Sequence, residues 1–302
     1  MEHEHLEAIM RRWLPEAESI EFQRIQKGTS SKAYHVTYGS VQGVLREIAS
    51  VSQAETEAAL AAVLAPKKLT PHILMTVNQS VYVLDQNRVY NFQEYLKVDS
   101  FQPQGTELAC QLAITIARMQ KILAQSNLTL PNRPDRFSAD WLWKSAKAQI
   151  ALFPAKISAE HDALIQHLVQ KWEKLKMVND QPIHGDLGLW NTLWTSSGMR
   201  IIDFGEARMG DPYLDLAGAV SSLLQSEKNK ALHPAMIETF LCSYTGEYQE
   251  INRTKLHDWI QFWLLRGMLA IITYQSPEIW NKQFADSWAL IQELNILLSV
   301  SD

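Results

Sequence analysis

The hydrophobic pattern changes character once, near Leu84, and that change restricts the fold more than any single motif does. Before it, Ser19–Ile25, Lys32–Tyr38 and Val41–Ile48 are short segments rich in Val, Ile, Tyr and Phe, separated by "QKGTSS" and "GS". Such segments read as strands joined by turns. Leu6, Ile9, Met10, Trp13 and Leu14 share one helical face and predict a short amphipathic helix ahead of them. The Ala/Leu/Glu-rich stretch Ala54–Ala65 predicts a second helix, closed by Pro66 and Pro71. "HILMTV" and "SVYVL" predict two further strands joined at Asn78–Gln79. After Leu84 helical periodicity dominates "TELACQLAITIARMQKIL", "ADWLWKSAKAQIALF" and "AEHDALIQHLVQKWEKL". It gives way to a hairpin, "TLWTSSGMRIID", and then returns. The expected organisation is a sheet-bearing part over 1–86 and a larger helical part over 87–302. The stretch near Asp85–Asn87 is the expected connector, and a cleft between two lobes suits a ligand.

Composition narrows the function classes. The 302 residues carry a net charge of −5, with 46% hydrophobic and 20% charged residues, which is ordinary for a globular chain. No basic stripe is present, so a nucleic-acid partner is not expected. Cys110 and Cys242 are far apart and form no CxxC, which argues against a structural zinc site or a disulfide framework and fits a reducing cytoplasm. "MEHEHLEAIMRRWLP" does not read as a signal peptide. The longest apolar stretch, Phe262–Tyr274, is interrupted by Arg266 and is too short to span a bilayer, so no membrane association is expected.

The chemistry concentrates in the middle of the chain. "IHGDLGLWN" places Asp186 five residues before Asn191, and "IIDFGEA" follows with Asp203 at the end of the hairpin. A loop Asp, an Asn at that spacing and a downstream DFG form a phosphoryl-transfer signature. Such a reaction needs an acceptor hydroxyl in line with the γ-phosphate, and cations to absorb charge. Asp186 suits the role of base. Asn191 and Asp203 offer the hard oxygens that Mg²⁺ prefers. Each residue taken alone also fits an ordinary turn; their order and spacing favour chemistry.

Gly185 stands where a protein kinase has Arg, no A-P-E follows, and "GDPYLDLA" comes directly after the DFG segment. With "IHGDLGLWN", "IIDFGEA" and "GDPYLDLA" in this order, the chain resembles the aminoglycoside phosphotransferase/choline kinase superfamily. The resemblance implies a two-lobed, protein-kinase-like α+β fold, with a small antiparallel sheet plus helix and a larger, mainly helical lobe. It implies a kinase that moves the γ-phosphate of ATP, with Mg²⁺, to a hydroxyl of a small molecule such as an amino-alcohol, an amino sugar or antibiotic, or a related metabolite. A non-catalytic nucleotide-binding module or a protein kinase is the alternative.

Carried over residue by residue, Asp186 resembles the family's catalytic Asp, and Asn191 and Asp203 its Mg²⁺ ligands. Asp215 and His184 resemble residues that brace the loop. "KGTSS" resembles the loop over the phosphates, with Gly28, Ser30 and Ser31 as binding candidates, although the same residues make an ordinary hairpin turn. Arg46, in "GVLREI", sits where the family places its phosphate-binding cation, and a solvated strand charge is the plainer reading. Register against the family pattern pairs Arg46 with Glu57, with Glu55 as runner-up. "VLDQNRVYNF" matches the family hinge, which makes Asp85 and Asn87 candidates for meeting adenine. The acceptor is open. Glu227, Glu238, Glu247, Glu250, Asp258 and Glu278 form no tight acidic cluster in sequence. Trp259, Phe262, Trp263 and Arg266 recur at helical spacing and read as core, whereas Trp190 either lines the cleft or anchors the loop.

Overall fold

The computed structural model describes residues 2–17, 19–25, 32–131, 138–176 and 178–298. Gly28, Ser30 and Ser31 lie outside the described residues. The chain divides into two compact units, one of residues 1–102, 119–131 and 191–207, the other of 103–118, 132–190 and 208–302.

The first unit is built on an antiparallel sheet of β1 (Glu21–Ile25), β2 (Ala33–Tyr38), β3 (Val41–Ile48), β4 (Ile73–Leu74), β5 (Val83–Asp85) and β6 (Arg88–Glu94). Its order is β1-β2-β3-β6-β4, with β5 also paired to β6. Side chains alternate between the two faces. Tyr34, Val36, Leu45, Tyr90 and Phe92 share one face and bury Leu6, Ile9, Met10 and Trp13 of α1 (Glu2–Met10) and the turn after it. Ile48 and Val89 belong to the other face and pack with Ala54 of α2 (Val51–Leu64). Ser50 starts α2 in an extended conformation and accepts a hydrogen bond from the Gln53 amide at 3.1 Å, an N-cap worth about 1 kcal/mol. Buried Ala54, Glu57, Leu60, Ala61 and Leu64 follow at three- and four-residue spacing. One member of that inward stripe is a carboxylate.

The two segments joined at Asn78–Gln79 each hold a short strand, β4 and β5. Both strands pair with β6. Arg88–Glu94 was not expected to be a strand, yet it is the one on which three others align. Its interior is buried on both faces, Asn91 included, so the alternation that marks a half-buried strand is missing. The stretch Asp85–Asn87, expected as the connector, is the tip of the β5–β6 hairpin. Gln86 and Asn87 both have positive φ, at 45° and 65°, the signature of a tight two-residue turn. The boundary drawn at 86/87 therefore falls within one hairpin of one sheet. The hairpin β8 (Thr192–Thr195) and β9 (Gly198–Ile201) also belongs to this unit by contact.

The second unit is helical. α8 (Arg253–Tyr274) packs against α4 (Ala139–Leu152), α5 (Ala159–Trp172), α6 (Tyr213–Ser226) and α9 (Trp280–Leu297), and α6 also meets α7 (His233–Glu247). The two-stranded ladder β7 (Gln181–Ile183)–β10 (Arg208–Gly210) stands at the entry to "HGD". α3 (Gly105–Gln125) contributes residues to both units. Trp259, Phe262 and Arg266 are buried as the helical spacing indicated, while Trp263 is only half-buried. Among the described residues no helix is long and apolar enough to cross a membrane.

Leu60 is fully buried in the inward stripe of α2. Leu60→Ala is expected to lower unfolding stability by about 2–5 kcal/mol, since it removes transfer energy and leaves a cavity. Urea denaturation checks this; a loss below about 1 kcal/mol would mean that the site collapses freely around the gap.

Candidate active site

In the first unit, three of the sequence candidates meet through one guanidinium. Arg46 projects from β3 on the α2 face and is 7% exposed. Its Nη1 donates to Glu57 Oε2 at 2.9 Å, and its Nη2 donates to Asp203 Oδ1 at 2.7 Å. Glu57, not Glu55, is the partner. Its carboxylate is completed by Asn91 Nδ2 at 3.0 Å and Gln53 Nε2 at 2.8 Å. Burial alone disfavours the charge on Arg46, but Glu57 and then Asp203 outweigh it and hold the guanidinium pKa above its usual value. A bidentate cation suits this place better than an ammonium, because one planar fork reaches two carboxylates.

Asp203 stands at a sharp turn. Its φ of 62° is left-handed, a conformation that Asp tolerates better than most residues. Its side chain is 42% exposed, against 8% for that of Arg46, so the carboxylate is open on one side. Thr192 pairs with Ile201, and the Ile202 amide donates to the Asn191 carbonyl at 3.0 Å. The hairpin thus holds Asn191 and Asp203 at its open end. A recess beside Asp203 is lined by Arg46, Glu57, Thr70, Gln93 and Phe204 as well. Among the described residues no group of three or more His, Cys, Asp or Glu side chains forms a closed metal site. One carboxylate and one amide oxygen suit Mg²⁺, which takes few protein ligands and completes its shell with phosphate and water.

In the second unit, Asp186 follows a turn that the sequence builds from the backbone. Gly185 has a φ of 81°, which a residue with a Cβ adopts only at a cost of about 1–2 kcal/mol. This is a conformational reason for Gly where a protein kinase has Arg. The amides of His184 and Gly185 donate to Asp215 Oδ2 and Oδ1, both at 2.8 Å. Asp215 lies in the first turn of α6, fully buried. Burial pushes its carboxyl pKa up, against the pull of His184 and the two amides. It is therefore the brace expected for the loop. It does not cap α6: Pro212 is the N-cap residue, and Asp211 Oδ1 accepts the Tyr213 amide at 3.0 Å. His184 Nδ1 accepts from the Asp186 amide at 3.3 Å, and Ser222 Oγ accepts from the Leu189 amide at 3.0 Å. Asp186 itself is half-buried.

Asp85 and Asn87 do not join either group; Asp85 Oδ2 lies 3.6 Å from His5 Nε2 at the hairpin tip. Two aromatic residues that were not among the sequence candidates meet across the sheet. Tyr95, just beyond the strand, packs against His35 of β2 with ring centroids 4.1 Å apart. Recognition of β6 as a strand would have pointed to Tyr95.

The profile of the phosphotransferase enzyme family matches residues 21–251. No curated protein matches the sequence. Among solved structures, an amicoumacin kinase in complex with AMP-PNP and Ca²⁺ is similar at 14% identity, covering 97% of this chain and 91% of its own, with a TM-score of 0.69. A microcompartment-associated aminopropanol kinase is 18% identical, with coverage of 97% and 96% and a TM-score of 0.67. A spectinomycin phosphotransferase in complex with ADP and spectinomycin is 14% identical, with coverage of 98% and 97% and a TM-score of 0.66. At such identities the likeness establishes the shared fold.

Removing Glu57 leaves Arg46, buried, with Asp203 alone. Glu57→Ala is expected to lower unfolding stability by about 3 kcal/mol, the scale for breaking a buried ion pair from one side. Urea denaturation measures it, and a loss under about 1 kcal/mol would show that Asp203 and water suffice for Arg46.

Proposed function

The chain belongs to the phosphotransferase enzyme family and is a small-molecule kinase, and from that premise we propose a mechanism in which Asp186 serves as base for the acceptor hydroxyl of an ATP- and Mg²⁺-dependent transfer. The observation that carries this reading is the single guanidinium of Arg46 shared between Glu57 and Asp203. It brings the proposed phosphate-binding cation and a proposed metal ligand into direct contact through a charge that Glu57 holds in place.

Each residue has one task in this reading. Arg46 holds nucleotide phosphates beside Asp203. Glu57, supported by Asn91 and Gln53, keeps Arg46 in place. Asp203 and Asn191 hold Mg²⁺, which supplies positive charge against the phosphate oxygens. Asp186 orients the acceptor hydroxyl and accepts its proton as the oxygen attacks the γ-phosphorus and the bond to the β-phosphate oxygen breaks. The loop carrying Asp186 keeps its shape through Asp215. Gly28, Ser30 and Ser31 remain candidates for covering the phosphates. Adenine recognition moves from Asp85 and Asn87 to the main chain that leaves β6, with His35 and Tyr95 as the adjoining rings. Amicoumacin, aminopropanol and spectinomycin are named for the similar kinases. They support a hydroxyl-bearing small molecule as acceptor, an amino-alcohol, amino sugar or antibiotic, or a related metabolite.

An ATP-consumption screen over amino-alcohols, amino sugars, antibiotics and hydroxylated metabolites finds the acceptor class. Asp186→Asn is expected to lower kcat by about 10²–10⁴-fold, with nucleotide affinity by calorimetry unchanged; near-full turnover in this variant rules out Asp186 as base. Asp203→Ala is expected to lose Mg²⁺-dependent nucleotide binding, and equal affinity with and without Mg²⁺ in both proteins would remove its metal role.

A further inference from the structure

Trp190 is a large aromatic that the fold holds in place without hiding. It is 52% exposed and lies in the 3₁₀ turn Leu189–Asn191, on the same loop as Asp186. Its indole stacks on Trp263 of α8, with planes 16° apart and centroids at 6.4 Å, within the range of offset-stacked rings. Two glycines make the room. A Cβ at Gly188 would stand 2.4 Å from the Trp190 ring. A Cβ at Gly218 would stand 3.2 Å from the Trp263 ring and 2.4 Å from the Leu187 carbonyl oxygen. Gly218 is in the interior of α6, where Gly costs about 1 kcal/mol relative to Ala. The Arg266 guanidinium lies 4.9 Å from the Trp263 ring centroid, and Arg266 Nη1 donates to the Gly185 carbonyl at 3.4 Å. Core packing does not account for an indole that stays half open, and an open, immobilised ring beside a proposed catalytic loop is positioned for a ligand.

The geometry also narrows what that ligand is. A quaternary ammonium is caged by rings that face it from several sides, whereas these two indoles lie nearly parallel and offer one shelf. Arg266 is already the cation–π partner of Trp263. A polycation needs open carboxylates, and three of those in this unit are paired with basic side chains. Glu247 accepts from Arg118 Nε and Nη2 at 3.1 and 2.8 Å, Glu238 takes both arms of Arg253 at 2.7 Å each, and Glu278 lies 3.6 Å from Lys156. We propose that Trp190, on the shelf it forms with Trp263, determines acceptor specificity by stacking on a flat, neutral ring face, so that the acceptor is a hydroxylated ring compound. This assignment rests on the reading of Asp186 as the base for the acceptor hydroxyl.

Calorimetry on the full chain with Mg²⁺ and ADP tests it. The probes are two panels, one of neutral ring compounds (methyl glycosides, nucleosides, phenolic glycosides) and one of cations (ethanolamine, aminopropanol, choline, kanamycin). At least one ring compound is expected to bind, and Trp190→Ala to weaken it about tenfold, the scale of one aromatic stacking contact. Trp190→Phe is expected to keep most of the affinity, which a loss of loop shape would not explain. Tightest binding by a cation, no ring compound bound, or equal affinity in wild type and Trp190→Ala overturns the proposal. So does a Trp190→Phe variant as weak as Trp190→Ala. Phosphorylation of aminopropanol without any ring compound binding leaves the kinase mechanism standing and removes the shelf. Ring binding through Trp190 together with full turnover by Asp186→Asn does the reverse.

Discussion

A buried guanidinium cannot stand alone, and the first unit is arranged around the one at Arg46. Moving an unpaired charge out of water costs several kcal/mol, so β3, α2, β6 and the end of the β8–β9 hairpin each supply a group. Glu57 and Asp203 take the two arms of Arg46, and Asn91 and Gln53 complete the Glu57 carboxylate. The consequence is positional. Asp203 belongs to a segment 157 residues away in sequence, and this charge ties it to the central sheet. A hydrophobic contact is non-directional; a two-armed fork sets both distance and orientation.

The second unit solves a related problem with the opposite charge. Asp215 is fully buried and accepts two main-chain amides. Two charge-assisted bonds from consecutive residues fix the direction in which the chain enters Asp186, and Gly185 supplies the left-handed turn that lets both amides point the same way. In each unit, then, a group proposed for chemistry is placed by a buried charge that is itself held by several donors or acceptors. That arrangement is costly to break from either side.

Legibility in the sequence followed the range of the interaction. "HGDLGLWN" and "IIDFGEA" were readable because a loop and the hairpin beside it are local, and their spacing survives in the linear order. α2 was readable from its run of strong helix formers, and α8 from residues recurring at helical period, because neither signal needs knowledge of a partner. β6 was not, because a strand covered on both faces shows no alternation, and Asn91 interrupts its apolar run with a polar group whose partner, Glu57, is 34 residues away. The misplaced connector at Asp85–Asn87 followed directly from that omission. Arg46 to Glu57 rested on register against a family pattern, since helix period alone does not separate Glu55 from Glu57 without the neighbour they face. Trp263, grouped with core residues by its spacing, was half right: its helix is central, but its ring meets Trp190 in the open.

Local order along the chain thus determined the family, the reaction class and the sequence positions of Asp186, Asn191 and Asp203, because those depend on motif spacing within a loop and a hairpin. Only tertiary structure decided that β6 is the strand on which three others align, that Glu57 and Asp203 share one guanidinium, and that Trp190 lies on Trp263. Those depend on hydrogen bonds and ring contacts between segments far apart in the chain, whose pairing is set by burial and charge once the elements pack. No period or spacing in the linear order encodes them.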